Sequence, residues 1–433
     1  MMQRRVIYLF FLYAVSCAVA IAQQTNIQEF NLNKNEAGST YKFSFVHISD
    51  IHIGEGFSDY GTTGYYNDTM PTIDTSKPAK RLQYAIEWIN ANAVAKNIKF
   101  VVISGDLTGS AEKSEFEKCK QLLDELQVPY VPIIGNHDIW SYVRYQDEAP
   151  YANADSVWNE VFESTYQFNS SFFTNWNNGT RLQRTYNPET GIEHYFQNFS
   201  FEYDDFLFYG LDFNPRYHVN KAEPGIGPEA QLMDWNGGTF RWLKNELAIN
   251  PNKKNKNVLF ISHHPATDNL LFILSGFVFD FEEFGKLINM LMPYKQNLSL
   301  WLTGHIHIDY DYWLTNSVMQ VRGMAANKDS DSAHLEIIHV YEVPTTTDIE
   351  TKKQKQTFTI FPNPSNGKIM ISTAGTPFKT SLNVYDMVGN KVYASNIHLS
   401  TSNEIDISFL PKGTYLIQFI NQEDSKTIPI TIQ

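Results

Sequence analysis

The sequence predicts an α/β protein that carries a small all-β unit at its C-terminal end. Three observations point there. From residue 42 onward, apolar runs of strand length alternate with helically spaced segments. Five of those runs end in blocks of Asp, Asn and His. Beyond a polar stretch at 344–356 the helical spacing stops and only short strand-like runs remain.

Lys42–Ser49 reads as a buried strand, with Phe43, Phe45, Val46 and Ile48 apolar, and runs into Asp50-Ile51-His52. Residues two apart in extended chain share a side, so Asp50 and His52 are expected to aim at one point. Residues 54–78 are rich in Gly, Tyr, Thr, Asp and Pro and predict a long loop at the mouth of a site. Ala79–Val94 has helical spacing at Leu82, Ile86 and Ile89. Lys99–Ser104 is the next strand and ends in Gly105-Asp106. Glu112–Gln127 predicts a second helix, with Cys119 as a packed small hydrophobe. Tyr130–Ile134 then ends in Gly135-Asn136-His137-Asp138. Strand, helix, strand, helix, strand predicts a parallel sheet with its polar groups at the carboxyl ends of the strands.

Residues 139–200 are aromatic and Asn-rich without a clean period, and are expected to form either an insertion or cap over the site or a surface elaboration unrelated to substrate. Phe201–Asp212 predicts the strands of a hairpin, and Pro228–Ala248 a helix. Val258–Ser262 is a buried strand ending in His263-His264-Pro265; a helix is expected near 279–293. Leu298–Thr303 ends in Gly304-His305-Ile306-His307, and Val318–Arg322 and Leu335–Tyr341 read as closing strands. Leu270–Phe279 is too short to span a membrane and meets Asp280, Glu282 and Glu283 at once.

The 433 residues exceed one ordinary domain, and 42% hydrophobic with 14% aromatic residues argues against disorder. A net charge of −13 argues against long nucleic acid as a partner. It leaves room for a small phosphate ester, because bound cations would invert the local field. Arg4-Arg5, the apolar stretch Val6–Ala20 and Ala20-Ile21-Ala22 read as a cleaved signal peptide over residues 1–22. Cleavage would leave Cys119 as the only cysteine, no intrachain disulfide, and no transmembrane helix in the mature chain.

Asp50, His52, Asp106, Asn136, His263, His305 and His307 offer carboxylate, amide and imidazole donors that suit Zn, Mn or Fe. Seven donors exceed one four- to six-coordinate ion and suit two ions that share a carboxylate. Asp138 stands next to His137 and is expected to orient its ring. Any one histidine is more often a satisfied core or surface group. His47, His194, His218, His264, His334, His339 and His398 are read that way.

Asp-x-His, Gly-Asp, Gly-Asn-His-Asp, a later His and Gly-His-x-His, in that order over residues 50–307, resemble the calcineurin-like metallophosphoesterases. The resemblance implies a two-sheet α/β/β/α sandwich holding two divalent or trivalent ions. Asp50, His52, Asp106 and His307 would hold one ion. Asp106 as the bridge, with Asn136, His263 and His305, would hold the other. His263 is preferred to His264 because the family's ligand stands two before the proline, here Pro265. His137 would contact the phosphate and protonate the leaving oxygen, while a hydroxide between the ions attacks phosphorus in line. Gly109 stands where purple acid phosphatases carry a tyrosine, so the resemblance is to the phosphodiesterase-containing branch. The implied activity is hydrolysis of phosphate mono- or diesters. The alternative is a surface binding protein on an inactive phosphoesterase scaffold.

The C-terminal unit has its own resemblance. Phe361-Pro362-Asn363-Pro364-Ser365-Asn366-Gly367, Val384-Tyr385-Asp386-Met387-Val388-Gly389 and Leu410-Pro411-Lys412-Gly413-Thr414-Tyr415 look like the type A sorting domain of the type IX secretion system. That implies export through periplasm and outer membrane to a secreted or cell-surface location, with the type IX machinery as a partner. The expected organisation is a signal peptide at 1–22, a metallophosphoesterase domain at 23–343, a linker at 344–356 and a β-sandwich sorting domain at 357–433.

Overall fold

The computed structural model describes residues 25–54, 77–139, 154–216, 228–249, 257–269, 272–273, 276–324, 332–344, 357–374, 378–386, 391–399, 402–420 and 425–433. The expected signal peptide, all but the first residue of the expected linker at 344–356, His218 and most of the loop at 54–78 lie outside the described residues. The chain divides into two compact units, Met1–Thr345 and Thr346–Gln433.

The larger unit opens with β1 (Thr25–Leu32) and β2 (Thr40–Ile48), then α1 (Lys77–Asn92), β3 (Ile98–Ile103), α2 (Lys113–Leu123) and β4 (Tyr130–Pro132). The apolar face of α2 is Phe116, Cys119, Leu122 and Leu123, all buried at the spacing of a helical stripe. Next come α3 (Ala154–Phe172), β5 (Thr174–Asn177), β6 (Arg184–Asn187), β7 (Ile192–Tyr195), β8 (Phe199–Tyr203), β9 (Phe206–Leu211), α4 (Thr239–Ile249) and β10 (Val258–Ser262). The unit closes with α5 (Phe281–Leu291), β11 (Leu298–Thr303), β12 (Tyr310–Trp313), β13 (Gln320–Gly323) and β14 (Ala333–Glu342). Asp280 caps α5 by accepting the Glu283 N–H at 2.8 Å, and Phe284, Leu287, Ile288 and Leu291 form its buried stripe.

These strands make two sheets, β1-β14-β2-β3-β4 and β12-β13-β11-β10-β9-β8-β5. β2, β3 and β4 run parallel, as do β9, β10, β11 and β13. Side-chain alternation then sorts the residues of the second sheet. Leu259 and Ile261 of β10 join the core between the sheets, whereas Val258 and Phe260 join the cluster with Leu243 of α4 and Leu287 of α5. Aromatic rings fill the inter-sheet space: Phe45 stacks on Phe100 at 5.1 Å and meets Phe208 edge-on at 5.6 Å. Helix, sheet, sheet, helix is the expected sandwich, and each sheet delivers its parallel strands' carboxyl ends to one side.

Three elements differ from the sequence reading. β1 pairs in parallel with β14, which its polar composition did not announce. The described part of the stretch expected as an insertion or cap includes a three-part surprise: the long helix α3, the hairpin β6–β7, and β5 at a sheet edge. Trp158, Phe162 and Tyr166 of α3 recur every fourth residue and enter the core beside Phe116. Tyr166 Oη and Asn169 Nδ2 donate to the carbonyls of Pro132 and Tyr130, so α3 covers the edge strand β4. Residues 228–238 are not helical; α4 begins only after Gly237, whose φ is +85°.

Among its described residues the smaller unit holds seven strands: β15 (Thr357–Phe361), β16 (Lys368–Ala374), β17 (Phe378–Asp386), β18 (Lys391–Leu399), β19 (Ser402–Asp406), β20 (Gly413–Ile420) and β21 (Ser425–Ile432). They form antiparallel sheets β15-β16-β19 and β18-β17-β20-β21 over a core of Ile369, Ile371, Leu382, Val384, Ile417 and Phe419.

Candidate metal centre

Every expected ligand lies just beyond a strand end, and the two sheets bring them to one place. Asp50 and His52 follow β2, Asp106 follows β3, and Asn136 follows β4 in the first sheet. His263 follows β10, and His305 and His307 follow β11 in the second. Asp50, His52, Asp106 and His307 each place one ligand atom within 4.8 Å of the others. His307 Nε2 lies 3.3 Å from Asp50 Oδ1, and His52 Nε2 lies 3.7 Å from Asp106 Oδ2. On the other side of Asp106, Oδ2 lies 3.1 Å from His263 Nε2, and His305 Nδ1 lies 3.0 Å from Asn136 Oδ1.

The way the backbone delivers these groups differs from the extended chain expected. Asp50, His52, Asp106, His305 and His307 all have positive φ, between 53° and 72°. Each left-handed residue costs about 1–2 kcal/mol. The cost falls on the residues that carry the chemistry, which is where strained backbone concentrates. Main-chain bonds hold the turns: the N–H groups of Asp50 and His52 donate to Gly105 and Asp106, and that of His305 donates to the Asp50 carboxylate. Gly304 permits the closest approach, since a Cβ there would lie 1.9 Å from Ser49 Oγ.

The donor set fits a cation on this structure's own geometry. The Ser104 carbonyl can only accept, so His263 Nδ1, 2.8 Å away, carries the ring proton. In a neutral ring Nε2 is then a lone pair facing the Asp106 carboxylate, a contact that needs a positive charge between its partners. Burial alone would lower the His263 imidazole, but Asp106 outweighs it and raises the ring to about 9. Burial would raise Asp106, but His263 and His137 hold it well below the usual carboxylate range. Burial likewise opposes the bond from His307 that holds Asp50 at about 2. His52 is kept neutral by burial, helped by His137, and so remains a ligand rather than a cation.

His137 and Asp138 share the turn after β4 but not the roles expected of neighbours. His137 N–H donates to Asp106 Oδ1 at 2.8 Å, and its Nδ1 pairs with the Gly109 carbonyl at 2.7 Å. Asp138 accepts from the N–H groups of Gly135, Leu107 and Thr108 and from the Thr108 hydroxyl, all within 3.2 Å. The ring of His137 is therefore held by Gly109, and Asp138 ties the loop after β3 to the loop after β4. Burial and the nearby Asp106 raise its carboxyl, against those four donors.

Three of the histidines set aside as structural have partners that are not candidate ligands. His47 Nε2 lies 2.8 Å from Ser104 Oγ in the buried layer beneath the centre, and His339 and His334 pair at the surface with Ser44 and Asn26. His264 is the exception: buried, with its ring 4.2 Å from that of His305. Two partners gave no sequence signal: the Ser104 carbonyl, and Glu229, whose Oε2 lies 3.0 Å from His305 Nε2. Glu229 belongs to no strand-end block.

Two carboxylates, an amide and four imidazoles gathered at strand ends define a metal-dependent phosphoesterase centre at the level of a superfamily. The chain belongs to the calcineurin-like phosphoesterase family, whose model matches residues 43–309. Residues 359–433 match the secretion system C-terminal sorting domain, which directs the chain to a secreted or cell-surface location and implies the type IX machinery. Among the described residues no helix is long and apolar enough to cross a membrane. No curated protein matches.

Solved structures similar to the chain include three hydrolases. Phosphopantetheinyl hydrolase from Mycobacterium tuberculosis is 11% identical and has a TM-score of 0.33, over 66% of this chain and 91% of its own. A purple acid phosphatase from yellow lupin seeds is 15% identical with a TM-score of 0.31, over 76% of this chain and 51% of its own. A sulfate thiohydrolase from Thermus thermophilus is 11% identical with a TM-score of 0.30, over 87% and 57%.

Proposed function

We propose that this protein is an exported hydrolase of phosphate mono- or diesters working at a two-ion centre. The observation that carries the reading is the position of Asp106. Its Oδ2 is 3.7 Å from His52 Nε2 on one side and 3.1 Å from His263 Nε2 on the other. One carboxylate thus joins two donor sets. Asp50, His52 and His307 complete the first; Asn136, His263 and His305 complete the second.

Bound cations would acidify the attacking water and neutralise the charge that grows on the phosphoryl oxygens. The chain's own groups position and protonate. Asp106 and Asp138 fix the turn that carries His137. With Nδ1 engaged by Gly109, His137 Nε2 is the atom that takes a second proton and passes it to the leaving alkoxide. His52 lies edge-on to His137 at 4.5 Å and limits the positions that ring can take.

The test is hydrolysis of paired chromogenic substrates, a phosphate monoester and a bis-ester of the same phenol, after reconstitution with Zn, Mn or Fe. Turnover lost in Asp106→Ala and His137→Ala supports the reading, and the monoester-to-diester ratio assigns the subclass. No turnover and no bound metal in the wild type would return the chain to a binding role.

A further inference from the structure

We infer that Glu229 is a positioning residue that fixes the tautomer of His305 and thereby sets the affinity of the second ion; this rests on the two-ion reading above. Glu229 Oε2 stands 3.0 Å from His305 Nε2, while Nδ1 of the same ring stands 3.0 Å from Asn136 Oδ1. This is a contact of charge and not a hydrogen bond, since Nε2 has no hydrogen-bond partner among the described residues. A carboxylate so near still favours the ring proton on Nε2, which leaves the Nδ1 lone pair directed at the Asn136 oxygen. Two acceptors then face each other across a gap that a cation bridges. A carboxylate on the far nitrogen also makes an imidazole a more basic ligand than a carbonyl does. His263, by contrast, is held by the Ser104 carbonyl. The two imidazoles on one side of Asp106 are thus tuned differently.

Glu229 is placed by its backbone. Its N–H donates to the Gly276 carbonyl at 2.6 Å, and two residues on the Gln231 N–H donates to Phe213 at 2.9 Å. His264 lies close to Glu229 and His305: each of the three brings a donor atom within 4.8 Å of the others. It is buried, its two ring nitrogens have no hydrogen-bond partner among the described residues, and its ring lies 4.2 Å from that of His305. The His305 ring therefore has both Glu229 and His264 against it.

The experiment is a Zn2+ titration of the full-length, metal-stripped protein against a competing chelator, with stoichiometry by elemental analysis. Wild type is expected to bind two ions. Glu229→Ala is expected to weaken the looser of them by about 10- to 100-fold. Glu229→Asp should recover part of the loss. Glu229→Ala added to His305→Ala should cost nothing more. The melting temperature of the metal-free protein should stay unchanged, because the Glu229 side chain is 30% exposed. Wild-type affinity in Glu229→Ala with two ions bound would overturn this inference alone. A fall in metal-free melting temperature without a change in affinity would make Glu229 merely structural. A third ion, lost in both Glu229→Ala and His264→Ala, would overturn it by placing a cation among those side chains. A wild type that binds no ion would sink the two-ion reading and this inference together.

Discussion

Asp106 and His263 meet across the seam between the two sheets, with Oδ2 3.1 Å from Nε2. One arrives from the first sheet and the other from the second, so the contact depends on how the sheets are packed. Asp106→Asn keeps an oxygen for the His137 N–H and removes the shared charge. It should abolish metal-dependent hydrolysis and lower bound metal below two equivalents while the circular dichroism spectrum stays native. Full activity in this variant would remove Asp106 from the bridging position.

His137 bonds Asp106 through its backbone and Gly109 through its ring, which lies edge-on to His52 and is not itself one of the seven candidate ligands. His137→Ala should therefore lower kcat by about 10²–10⁴ while metal content holds at the wild-type value. The loss should shrink for a nitrophenyl ester, whose leaving oxygen needs no proton. Equal losses for alkyl and nitrophenyl esters would argue for a binding role instead of proton donation.

The candidate ligands were legible because their types and order were legible. Asp50 and His52 of Asp-x-His meet His307 of Gly-His-x-His, although through left-handed turns and not through extended chain. No pattern in one sequence announces five positive φ values, since most Asp and His residues adopt negative φ. Glu229 stayed hidden for another reason: its partner His305 is remote in sequence, and the residues around Glu229 repeat no block. β1 was missed because Thr25–Leu32 is mostly Asn, Gln, Glu and Thr, and only pairing with β14 makes it a strand. In α3, Asn, Ser and Thr between the aromatics masked the helical period.

That helix gives a direct check. Trp158 is wholly buried and stands edge-on to Phe116 at 5.7 Å and tilted against Phe162 at 4.6 Å. Trp158→Ala should cost about 3–5 kcal/mol by urea unfolding. A cost below ~1 kcal/mol would mean that the helix is a surface elaboration after all.

Gly135 and Gly285 make a matched pair. A Cβ on Gly135 would lie 2.2 Å from Asp106 Oδ1 and 2.3 Å from the Asp106 backbone nitrogen. Neither neighbour can retreat, because Asp106 is pinned from both sheets. Gly135→Ala should lose about 1–3 kcal/mol and weaken metal binding. Gly285 sits inside α5 with nothing within 4 Å of its Cβ position. Gly285→Ala should gain up to about 1 kcal/mol in thermal unfolding with activity intact.

Glu115 sets a pH dependence that is separate from the metal centre. Burial pushes its carboxyl up to about 8, with Asp138 adding to the rise, although the Ser110 and Glu112 N–H groups donate to it. The folded chain therefore holds this proton more tightly than the unfolded chain, in which Glu115 titrates near the ordinary glutamate value of 4.5. Its contribution to stability is fully present below that unfolded value and is lost as pH rises through about 8. Glu115→Gln keeps a neutral group of the same shape and removes the titration. Between pH 5 and pH 8.5 the metal-free wild type should lose stability relative to this variant, on the order of a few kcal/mol. Urea unfolding of the two proteins at both pH values measures the difference directly. A wild type that gains on the variant as pH rises would show that the N–H donors outweigh burial and that Glu115 is charged in the fold.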